Sequence, residues 1–133
     1  MTVRHYCKGY EKQPCQTVVK YVSLDGKTYI YKYEKANELY KKACENKTFK
    51  GGMLMLIKEK NEMVLLLPTK YRETDEHSIE LIKRGLDKLK NTYKEKNIKQ
   101  LSFDSTNKNW ENIYDSMRDI LLNFDEIEIK IYE

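Results

Sequence analysis

The residues of this chain best placed to do chemistry are Asp104, Ser105, Thr106 and Asn107, which follow the apolar run IKQLSF at 98–103. A carboxylate, two hydroxyls and an amide after a strand can take a proton, or hydrogen-bond a phosphate or sugar through side chains. The same residues also make plain turns, with Asp104 as a cap, and need no ligand for that. A second group is Gly26, Lys27 and Thr28, where backbone N–H groups and a cation can meet an anion. Asp25-Gly26 is equally a hairpin turn dipeptide. His5 and His77 lie far apart and form no motif. The three cysteines, Cys7, Cys15 and Cys44, are odd in number and widely spaced. That argues against a disulfide framework and fits no C-x-x-C metal pattern. No catalytic residue, metal or cofactor is assigned.

Eleven tyrosines stand against three phenylalanines. Tyr29, Tyr31 and Tyr33 alternate with polar residues, Tyr10 and Tyr21 lie nearby, and Lys20, Lys27, Lys32 and Lys35 are interleaved with them. Rigid amphipathic rings beside cations suit a protein interface, and they can also stack on a base. The plainer alternative is rings turned to the core with wet hydroxyls. The expected interface comprises Tyr10, Lys20, Tyr21, Tyr29, Tyr31, Lys32 and Tyr33.

These residues must be positioned by elements, and the apolar periodicity supplies them. Residues 2–7 and 16–22 read as strands. Residues 28–33 are rich in β-formers, so the Asp25-Gly26 turn predicts a hairpin; a helix beginning near Gly26 competes with it. Residues 34–46 read as a helix, with Ala36, Leu39, Tyr40 and Ala43 at helical spacing. MLMLI at 53–57 and MVLLL at 63–67 read as central strands covered on both faces, the second ended by Pro68. Ile79, Ile82, Leu86, Leu89 and Tyr93 form the core stripe of a long helix, capped by Thr74 or Asp75 and stopped at Asn97. Residues 98–103, a helix over 110–122 and a strand at 127–132 complete the chain. Strand and helix alternate, so the expected class is a three-layer α/β/α domain with a mixed central sheet.

The 133 residues suit a single domain, 1–133, large enough to bury a core without staples. Charged residues make up 35% and the net charge is +4, spread along the chain rather than blocked, which does not favour nucleic acid. The start MTVRHYCKGY lacks the apolar region of a signal peptide, and no run is long enough to span a membrane. A cytoplasmic setting is expected.

The scaffold residues resemble the macro domain, the fold that binds ADP-ribose, and within it the compact bacterial and phage branch that includes DNA ADP-ribosyl glycohydrolases. NELYKKAC followed by KGGMLML, the turn LPTK, the long helix, IKQLSF and Trp110-Glu111 carry the likeness; VRHYCKG and VSLDGK extend it to the start. The resemblance implies a macro-like α/β/α fold and ligand contacts at Gly9, Gly26, Lys27, Thr28, Asp104, Ser105, Thr106 and Asn107. The chain departs from the family at those same places. Gly9 is followed by Tyr10 where the family has Asp, and VVKYVS lacks asparagine. A single glycine, Gly26, remains in the first loop, and DSTNKN at 104–109 has none. Side chains there block close backbone approach and the φ > 0 conformations of an anion nest. The expectation is a non-catalytic binding protein with a degenerate ligand cleft, working through protein contact. By analogy it could be a phage or mobile-element inhibitor of a host defence system, acting in host cytoplasm. A module that binds or sequesters an ADP-ribose-like nucleotide is the alternative, and an active ADP-ribosyl hydrolase a third.

Overall fold

A computed structural model describes residues 16–103 and 127–129 in full, residues 3–7, 104 and 130–132 as backbone, and positions 111, 114, 115 and 118. The elements are β1 (Val3–Cys7), β2 (Thr17–Ser23), α1 (Glu34–Glu45), β3 (Met55–Glu59), β4 (Glu62–Lys70), α2 (Ile79–Thr92), β5 (Gln100–Asp104) and β6 (Glu128–Tyr132). Glu111, Tyr114, Asp115 and Arg118 are helical, in keeping with the last expected helix, most of which lies outside the described residues.

The strands form one sheet in the order β1-β6-β5-β2-β4-β3. Only β3 runs antiparallel, against β4; the other ladders are parallel. Alternate side chains of the central strands point to opposite faces, and each face has its own core. On one side Ala36 and Tyr40 of α1 close over Val22, Ile57, Val64 and Leu66. On the other, Ile82, Leu86 and Leu89 of α2 pack on Val19, Leu65, Leu67, Leu101, Phe103 and Ile129. This is the expected three-layer α/β/α architecture with a mixed sheet.

Several local expectations are overturned. Residues 28–33 form no strand. Gly26 does turn the chain, at φ +79, but β2 already has parallel partners on both edges, β4 and β5. A returning hairpin strand would find no free hydrogen-bonding edge, so the chain runs back over the α1 face, where Ile30 and Tyr33 join the core, and reaches Glu62 at the start of β4 before α1 begins. Pro68 does not end β4, which continues to Lys70. The β3 ladder stops at the pair Met55↔Leu66, so a missing N–H at residue 68 costs no bond on that side. MLMLI supplies the edge strand β3 rather than a central one. The α2 cap is Ser78, whose hydroxyl accepts from Leu81 N, not Thr74 or Asp75. Ile79 then falls at the first helical position and is 53% exposed, and Leu39 on α1 is 39% exposed. Turns follow α2 up to Asn97, which takes φ +57, the left-handed stop its type favours.

Candidate functional site

Five parallel strands place their carboxyl ends on one edge of the sheet. Neighbouring β2 and β5 share the single bridge pair Val18↔Ser102 among the described residues. The chain leaves β2 toward α1 on one face. After β5 it proceeds to helical residues of which Tyr114 packs against the core of the other face. Adjacent strands whose outgoing connections part in this way form a topological switch point, where ligands of open α/β sheets bind. Two groups expected from sequence flank this switch point: the Gly26–Lys27–Thr28 turn after β2 and Asp104 at the end of β5. Ser105, Thr106 and Asn107, with Gly9 and Tyr10, lie outside the described residues.

The β2 end is organised by polar side chains. Ser23 Oγ donates to Asp25 Oδ1 at 2.5 Å. The same oxygen accepts the Lys27 amide at 3.1 Å, and Asp25 Oδ2 accepts the Glu73 amide at 3.0 Å. Tyr40, fully buried on α1, donates its hydroxyl to Ser23 O at 2.8 Å and accepts the Thr28 amide at 3.3 Å. Thr28 Oγ1 donates to the Glu73 carboxylate and accepts the Ser23 amide at 2.9 Å. Lys70, at the end of β4, sets its ammonium 3.4 Å from Glu73 Oε1 and donates to Glu73 O at 3.0 Å. The β2–α1 and β4–α2 loops are therefore tied together through Asp25, Thr28 and Glu73.

The electrostatics follow from that wiring. Burial pushes the Asp25 carboxyl up. The Ser23 hydroxyl, the amides of Glu73 and Lys27 and the Lys27 charge oppose it and hold the carboxyl below its ordinary value. Burial also raises Tyr40 above the usual phenol range, only partly opposed by its Ser23 and Thr28 partners. The Cys44 thiol, beside Gly26, is raised by burial and then by the Asp25 charge. The turn's N–H groups at Lys27 and Thr28 are thus spent within the protein, and two carboxylates face it. Among the described residues no His, Cys, Asp or Glu cluster could hold a metal ion, and no helix is long and apolar enough to cross a membrane.

The expected Tyr/Lys surface divides in two. Lys20 and Tyr21 are consecutive on β2 and so point to opposite faces. Lys20 sits 5.7 Å from the Tyr33 ring centre on the α1 side, whereas Tyr21 meets His77 edge-on at 6.3 Å on the α2 side. Tyr33 is buried at 8% exposure and donates to Glu62 Oε1, so it belongs to the core instead of an interface. Tyr29 and Tyr31 are 70% and 61% exposed. Lys32 takes φ +72 and lays its ammonium 5.4 Å from the Tyr31 ring centre. The Lys32 carbonyl accepts from Lys60 on the β3–β4 turn, whereas Tyr71, 51% exposed, lies on the tied β4–α2 loop at the other end of β4.

Sequence reading missed Ser23, Asp25, Tyr40, Lys70 and Glu73 as site residues. Asp25 was visible as a turn former and Lys70 through the LPTK turn. Tyr40 was hidden because its helical spacing already explained it as core.

No protein-family model and no curated protein matches the chain. Solved structures do. The macrodomain of Thermus aquaticus DarG is 16% identical with a TM-score of 0.85, covering 100% of this chain and 99% of that one. The macrodomain of Mycobacterium tuberculosis DarG is 17% identical at a TM-score of 0.85, covering 99% and 98%. Thermosipho africanus DarTG in complex with ADP-ribose is 22% identical at a TM-score of 0.75, covering 89% of this chain and 38% of that one. The strand order, the two covered faces and these likenesses agree: the chain has the macrodomain fold.

Proposed function

We propose that the chain is a non-catalytic binding protein that keeps the macro scaffold, has turned its first ligand loop inward, and works by contact with another protein. One observation carries this reading. The Lys27 and Glu73 amides are both held by the Asp25 carboxylate, so the donors that an anion would need already have an anionic partner inside the fold. Exposed Tyr29 and Tyr31, with Lys27 and Lys32 beside them, supply the contact surface along the segment that joins β2 to α1. Rigid aromatic rings beside cations are effective anchors for a protein partner. An inhibitor role against a host defence system is the biological form this proposal takes.

A specific observation also favours a nucleotide reading. The switch point between β2 and β5 is retained, and one similar structure carries ADP-ribose. A thermal melt decides between them. Roughly 1 mM ADP-ribose should leave the melting temperature unchanged. A micromolar ligand at about a thousand-fold excess would add roughly 4 kcal/mol, several degrees for a domain this size. A shift of that kind would overturn the proposal and give the lead to the nucleotide reading.

A further inference from the structure

The β3 edge of the sheet offers a second surface, separate from the switch point between β2 and β5. Among the described residues β3 is an edge strand, and an edge presents a row of N–H and C=O groups with no strand beside them. Their direction can be worked out. Met63 gives its amide to Gln16 O at 2.8 Å, on the β2 side, so the Lys58↔Met63 pair exchanges no hydrogen bonds. The Lys58 carbonyl is instead reached from outside by Lys35 Nζ at 3.4 Å. By alternation the backbone groups of Leu56 also point outward. The side chain of Leu56 lies on the α2 face, and Lys58, two residues on, shares that face.

Beside that face is a groove of about 340 Å³, with Leu54, Leu56, Leu65, Leu89 and Ile98 as its apolar lining. Lys88, Thr92, Glu95 and Lys96 on and after α2 complete its wall. With Lys58, three exposed cations surround it against one carboxylate. A second copy docking symmetrically would set this basic patch against itself. An acidic chain would meet it favourably, and opposite charges directly across two strands attract.

We propose that the β3 edge accepts an extended acidic segment of a partner protein as an added strand, with an apolar side chain opposite Leu56 entering the groove and a carboxylate opposite Lys58. Main-chain bonds to Leu56 hold the segment, and the groove and the three lysines select it.

The test is a titration of the isotope-labelled full chain, followed by amide shifts. Two synthetic peptides share alternating leucines and valines and carry either glutamates or lysines between them. The glutamate peptide should shift Leu54, Leu56, Lys58, Lys88 and Lys96, and the lysine peptide should not. Lys58→Glu with Lys96→Glu, both at exposed positions, should weaken the glutamate peptide about tenfold or more without changing the melting temperature. Equal binding of both peptides, no binding at millimolar peptide, or shifts confined to Tyr29, Tyr31 and Tyr71 would overturn the proposal. So would concentration-dependent shifts of the β3 amides without peptide, which would assign the edge to a second copy.

Discussion

Asp25 is the residue on which the loop network turns. Its carboxylate accepts from one hydroxyl and two amides, and hydrogen bonds to a charged group contribute about 1.5–3 kcal/mol each before the cost of ordering. Because its folded value lies below the ordinary 3.8, the stability it adds is present above the unfolded value and is lost as pH falls through the folded one. Asp25→Asn should therefore lower the urea midpoint at neutral pH by an amount equivalent to about 1–2 kcal/mol. It should also flatten the decline in stability below the ordinary carboxylate range. A variant with wild-type acid sensitivity would remove Asp25 from the centre of the network. Tyr40 should act at the other extreme. Its raised value means that its contribution is present below the unfolded phenol value and is lost as pH rises through the folded one. Tyr40→Phe should blunt alkaline unfolding as followed by circular dichroism.

At the scale of elements, α2 shows packing overruling propensity. Gly85 lies mid-helix, where alanine would gain about 1 kcal/mol. An ideal Cβ there would stand 2.4 Å from Leu67 Cδ1, and Leu67 is buried at 1% exposure in a close-packed core. Overpacking costs about 1–3 kcal/mol, so Gly85→Ala should lower the melting temperature in spite of its better propensity. An increase would show that Leu67 has room to move. The start of α2 was misread from sequence for a related reason: Thr74, Asp75 and Ser78 are all competent caps. The bond from Ser78 N to Thr69 O at 2.6 Å ties Ser78 to the end of β4 and so selects it. The 28–33 segment failed as a strand because of its surroundings. Its β-formers are real, but Asn37 of α1 satisfies Ile30, accepting its amide at 2.8 Å, and both edges of β2 are taken.

Over the whole molecule, the two cores share β4, which sends Leu66 to one face and Leu65 and Leu67 to the other. Leu66→Ala and Leu67→Ala should each cost about 2–5 kcal/mol. Since the shared strand couples the faces, each variant should still unfold in one transition, with calorimetric and van't Hoff enthalpies agreeing. Two separate transitions would mean that the faces melt independently. Two surfaces have different assignments, the exposed tyrosines of the β2–α1 segment to protein contact and the β3 edge to an acidic strand. Tyr31→Ala should therefore leave peptide shifts at β3 unchanged, because the sites share no residue.

The sequence alone determined the alternation of strand and helix, the three layers, the stripe Ile82, Leu86, Leu89 and Tyr93, and the scaffold likeness. The first three follow from apolar periodicity, which local burial imposes on local spacing, and the likeness rests on the residue runs NELYKKAC, KGGMLML, LPTK and IKQLSF. Tertiary structure alone decided which strand lies at the edge, whether Tyr33 is buried while Tyr31 is exposed, and that Lys20 and Tyr21 face different layers. It also brought Asp25, Thr28, Tyr40, Lys70 and Glu73 into one network. Those outcomes depend on strand order and on contacts between residues distant in sequence, and no local pattern of residue types encodes either.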